Sequence, residues 1–187
     1  MKRMILSRIW VLSFVGISLT ASMAMADDRR SDNVTVSFGQ WKANEPPPPE
    51  GVGPLDRFLA NPAMGLGNNH ELIPKKITIK EGDAVNFVIS GLHLVAIYDD
   101  GTKPGQIDTT MLVEGITTAG GIIDDANNRI YRGFNPNAIP NNNQRDRAET
   151  VHFSKPGTYL VICGVLNHFV DDRMFGFVEV KKDKHRK

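Results

Sequence analysis

Apolar and polar residues alternate in several short runs along this chain, and turn residues separate the runs. Residues 76–80 read KITIK, residues 84–90 read AVNFVIS, and residues 175–181 read FGFVEVK. Alternation with a period of two predicts strands that bury one face. The strands predicted in this way are 33–41, 76–80, 84–90, 94–98, 149–153, 158–163 and 175–181. About seven short strands with turns between them predict an all-β fold, a β-sandwich with a long insertion loop.

Two segments lack this alternation. Residues 43–54 contain four consecutive prolines and two glycines, which favour extended backbone outside a sheet. Residues 99–148 are rich in Asn, Asp, Gly, Pro and Thr, and a loop of this length is uncommon in a compact domain unless it has a role. We expect this segment to be an insertion that covers one end or side of the sandwich. For residues 135–147, disorder is an open alternative.

The N-terminus has the pattern of a signal peptide. Basic residues precede an apolar run at residues 9–19, and Ala24-Met25-Ala26 then fits a signal-peptidase site. The apolar run is short for a membrane span, although an uncleaved anchor is the open alternative. We expect residues 1–26 to be removed and the mature chain to be exported to the periplasm, with no stable membrane span left.

The mature chain is predicted to have three parts. An N-terminal strand and Pro/Gly-rich segment occupies 27–69, the main domain occupies 70–182 with its insertion at about 99–148, and a basic tail occupies 183–187. Without residues 1–26, 19 basic and 21 acidic residues remain, a formal charge of −2. A nearly neutral charge argues against nucleic acid as a partner.

The chain has a single cysteine, Cys163, at the end of a predicted apolar strand. One cysteine cannot form an intramolecular disulfide, so it is a ligand, a free thiol, an intermolecular bridge or a small buried apolar residue. His168 and Met174 follow it with the spacing Cys-x4-His-x5-Met, in a loop that can turn both side chains back toward the thiol. His93 lies between two predicted strands, and strand ends meet at one pole of a sandwich. A second imidazole is therefore available at this pole.

The ligand chemistry of these residues indicates which metal they would bind. Thiolate, imidazole and thioether groups form a soft ligand set that suits copper. A thiolate donates strongly to Cu(II) and stabilises Cu(I), and a weak axial thioether favours Cu(I). Zinc prefers a fourth strong ligand, so Met174 argues against a structural zinc site.

The chain resembles the cupredoxins, the blue-copper family of plastocyanin and azurin. The matching residues are His93 between strands, Pro156-Gly-Thr-Tyr159 leading into a strand, and Cys163, His168 and Met174. The resemblance covers about residues 70–99 and 149–182. It implies a Greek-key β-sandwich that holds one type 1 copper per chain. It also implies His93, Cys163 and His168 as the strong ligands and Met174 as the axial ligand.

The chain departs from the family pattern at two points. The interval from His168 to Met174 is longer than in plastocyanin or azurin. Leu94 stands where many members have an asparagine that helps to hold the ligand loop, so either a backbone or other side-chain contact holds the loop here or the loop is looser. Met174 as an ordinary core residue stays an open alternative, with Met64 or a backbone carbonyl as the axial donor.

The other histidines do not predict a second metal site. His70 lies in a polar Asn-Asn-His-Glu stretch and is expected to be exposed, His152 is expected to point to solvent, and His185 lies in the tail. Apolar residues flank the proposed ligands and would lower the local dielectric, form a docking patch for redox partners, or simply fill the core. They are Leu92, Leu94, Leu166, Phe169 and Phe175.

The resemblance implies a periplasmic carrier of single electrons that is not an enzyme. It would dock transiently with redox proteins and pass the electron through the His168 imidazole. Copper storage or delivery with the same ligands is the alternative. A copper enzyme would need a second copper site, and a metal-free binding module would leave the clustered ligands without a purpose.

Overall fold

Nine strands carry the fold in the part of the chain that the structure describes. The structure is a computed structural model, and it describes residues 33–41, 68–117, 120–133 and 146–183. The strands are β1 (Asn33–Trp41), β2 (Asn68–Ile73), β3 (Lys76–Lys80), β4 (Ala84–Ile89), β5 (Val95–Tyr98), β6 (Arg129–Arg132), β7 (Arg147–His152), β8 (Gly157–Cys163) and β9 (Phe175–Lys181). A 3-10 helix at Pro104–Gln106 and a short helix α1 at Leu166–Val170 complete the elements.

The strands form two mixed sheets. The first has the order β2-β1-β4-β7 and the second has the order β3-β9-β8-β5-β6. The pairs β1–β4 and β3–β9 are parallel, and the other pairs are antiparallel. One core cluster contains buried apolar residues from both sheets. The predicted all-β sandwich is therefore confirmed.

Alternation along the strands explains which side chains form this core. Val36 and Phe38 of β1 are buried, as are Ile77 and Ile79 of β3, while their polar neighbours face solvent or are half-buried. A strand turns successive side chains to opposite faces, so every second residue enters the core. β5 differs because all four of its residues are buried, which suits a strand whose two faces are both covered.

Each of the seven predicted strands is present, with ends that shift by up to two residues, but two further strands are not predicted. β2 (NNHELI) is mostly polar and half-buried, so it shows no alternation. β6 lies inside the predicted insertion and pairs with β5. β1 lies between β2 and β4 in the first sheet, so this strand of the predicted N-terminal segment belongs to the sandwich.

The predicted insertion also contributes to the core. Ile107, Val113, Ile122 and Ile123 are buried in the same cluster as the strands, and Ile122 bridges to Val165. The segment therefore does more than cover the sandwich, because these apolar side chains are part of the core.

The buried Asp125 holds part of this segment together. Its carboxylate accepts hydrogen bonds from the backbone N–H groups of Asp108 and Asn127, at 2.9 Å each. Buried carboxylates are costly unless such donors satisfy them. These bonds explain how a segment that is rich in polar residues can be ordered.

Several predictions lie outside the described residues. They concern the signal peptide at 1–26, the proline-rich segment, residues 135–145 and the end of the basic tail. The described residues all belong to one compact unit, Ser31–Lys187. None of the helices in the described ranges has the length and apolar character needed to cross a membrane.

Candidate metal centre

Strand pairing brings His93 to Cys163. Cys163 is the last residue of β8 and pairs with Val95, the first residue of β5, and His93 lies two residues before that strand. The N–H of Gly164 donates to the carbonyl of Leu94 at 2.7 Å and extends this contact. Residues about 70 positions apart thus meet at one end of the second sheet because their strands are neighbours.

His168 and Met174 reach the same end through the segment after β8. α1 places His168 within it, and the N–H of Met174 donates to the carbonyl of His168 at 2.8 Å. The N–H of Cys163 donates to the carbonyl of Met174 at 2.9 Å. Three of the sequence-predicted ligands are thus tied together through their backbones, and the Met174 side chain is fully buried. The role of its thioether as the axial ligand stays a prediction.

Three donor atoms converge within this frame. Cys163 Sγ lies 3.5 Å from His93 Nδ1 and 3.7 Å from His168 Nδ1, and the two Nδ1 atoms are 3.1 Å apart. An ion bound at 2.0–2.3 Å at the centre of three such atoms would separate them by roughly 3.5 Å. The spacing of the donors therefore fits one metal ion. One thiolate and two imidazoles in a trigonal set are typical of blue-copper sites.

The architecture fits the two-sheet β-sandwich that the sequence resemblance implies. Two mixed sheets carry one Cys-His-His donor triangle, with a buried methionine beside it, at the end of the sandwich. A Greek-key sandwich with this donor set at one end is what the sequence resemblance implies. The donor chemistry fits one copper, which Cys163, His93 and His168 would hold.

Several solved structures of copper proteins are similar to this chain. They include a reduced auracyanin from Roseiflexus castenholzii, with 20% identity over 59% of this chain and 86% of that chain, at a TM-score of 0.40. A pseudoazurin from Sinorhizobium meliloti has 18% identity over 81% of this chain and 76% of that chain, at 0.37. An oxidised plastocyanin from Dryopteris crassirhizoma has 17% identity over 79% of this chain and 100% of that chain, at 0.37. No protein-family model and no curated protein match the sequence. The case for a metal site rests on the side chains described above.

Two residues hold the His93 loop where the family asparagine is missing. Asn68 at the start of β2 places its Oδ1 3.1 Å from His93 Nε2 and donates from its Nδ2 to the carbonyl of Ser90 at 2.5 Å. Arg147 of β7 donates from its Nη2 to the carbonyl of His93 at 3.0 Å. The carbonyl oxygen of Asn68 requires a proton on His93 Nε2, which leaves the lone pair of Nδ1 facing the donor triangle. Such outer contacts fix the ring orientation of metal-binding histidines.

The structure overturns one prediction about the other histidines. His70 lies on β2 with only 29% of its side chain exposed, and its ring centroid is 3.8 Å from that of His168 at an interplanar angle of 30°. One ring nitrogen from each of His70, His93 and His168 lies within 4.8 Å of the other two. His70 was missed because its strand is polar and half-buried, so neither periodicity nor spacing marks it. His152 is exposed as predicted, and His185 lies outside the described residues.

Burial keeps the donor groups in defined protonation states. Burial is the main cause that lowers the pKa of His93 to about 3, and the neighbouring His168 and His70 contribute to this shift. Burial also lowers the pKa of His168 to about 4. Both imidazoles are therefore neutral at pH 7 and can bind a metal. Burial raises the pKa of the Cys163 thiol to about 12, so metal binding must displace its proton.

The histidine pKa values predict how the metal-free protein responds to acid. His93 and His168 have pKa values below the unfolded value of 6.5, so between that pH and about 4 the unfolded state binds more protons. Stability then rises with pH, is fully present above about 7, and falls as the pH falls below 6.5. We expect urea unfolding to show a loss of a few kcal/mol between pH 7 and 4.5, since one pKa unit corresponds to about 1.4 kcal/mol. An unfolding free energy that stays constant over this interval would contradict the assignment of neutral, buried imidazoles.

Proposed function

We propose that this protein is a periplasmic carrier of single electrons that binds one type 1 copper and docks transiently with redox partners. The observation that carries the proposal is the convergence of Cys163 Sγ, His93 Nδ1 and His168 Nδ1 within 3.7 Å of one another. When bound there, copper would supply a reversible one-electron couple. The location in the periplasm rests on the signal-peptide pattern at residues 1–26.

The residues that would bind the copper are buried and are held in place by the fold. Cys163 is fully buried, and His93 and His168 are 2% and 9% exposed. Leu94 and Phe169 are buried beside them and exclude water, and a dry surrounding affects the redox potential. The backbone N–H groups of Leu94 and Val165 bond to the Cys163 sulfur and favour the thiolate. A site held in this way has little room to rearrange when the charge of the metal changes.

Burial also favours electron carriage over catalysis. An electron can pass between a buried metal and a docked partner through a short layer of protein, whereas a substrate must contact the metal directly. Here the three donor atoms belong to buried residues, and the segment 165–174 folds over them with α1. α1 carries His168 and also the exposed Val170, so we expect a partner to dock at this face.

A redox titration of the copper-loaded protein tests the proposal. We expect one electron per chain, taken up and released reversibly, with slow exchange of copper in both oxidation states. His152→Ala is the control, since His152 is exposed on β7 and should leave the titration unchanged. Fast loss of Cu(I) to a chelator would favour copper delivery instead, and a copper count above one per chain would favour an enzyme.

A further inference from the structure

His70 has the hydrogen bond that metal-binding histidines usually have. Its Nδ1 lies 2.6 Å from Oδ2 of Asp172. An ionised carboxylate only accepts hydrogen bonds, so Nδ1 carries a proton, and in the neutral ring Nε2 then carries the lone pair. A carboxylate that orients a histidine in this way is the common outer partner of a metal ligand.

The position of His70 also brings it within reach of the same ion. Its ring centroid is 3.8 Å from that of His168 and 5.3 Å from that of His93. One ring nitrogen from each of the three histidines lies within 4.8 Å of the others. β2 pairs with β1 on both sides of His70, with Asn69 opposite Gln40 and Leu72 opposite Phe38, and the register shifts between these two pairs. The three histidines therefore form a cluster of the kind that can hold a metal ion.

Asn68 and His70, both on β2, contact the two imidazoles of the donor triangle. Asn68 holds the His93 ring, and His70 stacks on the His168 ring two residues later. Side chains two residues apart lie on the same face of a strand, so both point toward the donor triangle. β2 therefore contacts both imidazole ligands, although the sequence pattern indicated only a polar loop.

We propose that His70 is a third imidazole ligand of the copper, beside His93, His168 and Cys163. This proposal rests on the proposed function, since it assigns a further ligand to the same site. An added nitrogen donor stabilises Cu(II) relative to Cu(I) and moves the geometry from trigonal toward tetragonal. The reduction potential is then lower than the same site would have without His70.

The competing interpretation is that His70 only stacks on His168 and covers it. His70→Phe separates the two, because phenylalanine keeps a flat ring on β2 and loses both nitrogens. His70→Ala removes the ring as well. If His70 is a ligand, both variants lose it. If His70 only stacks on His168, the phenylalanine variant keeps the stacking and only the alanine variant loses it.

Pulsed electron paramagnetic resonance of the Cu(II)-loaded full chain counts the directly bound nitrogens. We expect three in the native protein and two in both His70→Phe and His70→Ala, with a higher reduction potential in both variants. Two nitrogens in the native protein, or a phenylalanine variant that matches the native spectrum and potential, would overturn the proposal. The native count needs no variant, so a folding defect cannot obscure the result.

The same spectra separate this proposal from the proposed function. Strong coupling to the Cys163 thiolate supports a type 1 copper whether two or three nitrogens are counted. Absence of thiolate coupling in the native protein would overturn both proposals together. His152→Phe is the matched control, because it makes the same change at an exposed histidine of β7.

Discussion

Replacing Cys163 with serine should remove the intense visible absorption of the copper-loaded protein. That absorption arises from charge transfer between a thiolate sulfur and Cu(II), and Cys163 is the only cysteine in the chain. Its Sγ lies 3.5 and 3.7 Å from the two imidazole nitrogens. Because the chain has one cysteine, no other thiolate of this chain is available to the site. Serine keeps the size of the side chain but offers an oxygen. Visible spectra at equal copper loading measure the effect.

Met174→Leu is the matched control for this change. It removes the other sulfur that the sequence places at the site and keeps about the same volume in a fully buried position. If the thioether is the axial ligand, the band and the reduction potential should both shift, but the colour should remain. A copper-loaded Cys163→Ser variant that stays intensely coloured would show that the thiolate assignment is wrong.

Replacing Gly39 with alanine should displace His93 and destabilise the fold. Gly39 of β1 has φ +79°, and an added Cβ would lie 2.6 Å from His93 Cδ2 and 2.8 Å from the carbonyl of Ser90. The left-handed backbone costs about 1–2 kcal/mol for alanine, and overpacking adds about 1–3 kcal/mol. We expect a loss of about 2–5 kcal/mol in unfolding free energy and weaker copper binding, measured by urea unfolding and by competition with a chelator.

Gly101→Ala separates the two causes of that loss. Gly101 has φ +80°, nearly the same backbone conformation, and nothing lies within 4 Å of an added Cβ. This variant should lose only about 1–2 kcal/mol and should bind copper like the native protein. Equal copper affinity in the two variants would show that the contact between Gly39 and His93 does not matter for the site.

The parts of the fold that were predictable from the sequence are those with a regular burial pattern. β3, β4 and β9 alternate between core and surface, so a period of two marks them. The placement of His93 near Cys163 followed from the general rule that strand ends meet at one pole. The pairing of β5 with β8 gives that rule its physical basis here.

The elements and contacts that the sequence did not predict have no regular burial pattern. β2 is polar and half-buried, so its burial gives no alternation, and His70 and Asn68 looked like loop residues. Arg147 begins β7 and reaches the His93 carbonyl across the sheet, a contact that has no sequence signature. The core residues of the insertion, such as Ile122, are fixed by isolated bridges and single hydrogen bonds and not by a repeating pattern. Long-range polar contacts of this kind become visible only once the chain is folded.

The central claim is that one thiolate and two imidazoles from separate parts of the chain bind the same copper ion. A crystal structure of the copper-loaded protein, with anomalous scattering recorded at the copper edge, tests it most directly. We expect one copper peak within about 2.0–2.3 Å of Cys163 Sγ, His93 Nδ1 and His168 Nδ1. A peak that is bonded to surface residues, or one that lacks either His93 or Cys163 among its ligands, would contradict the claim.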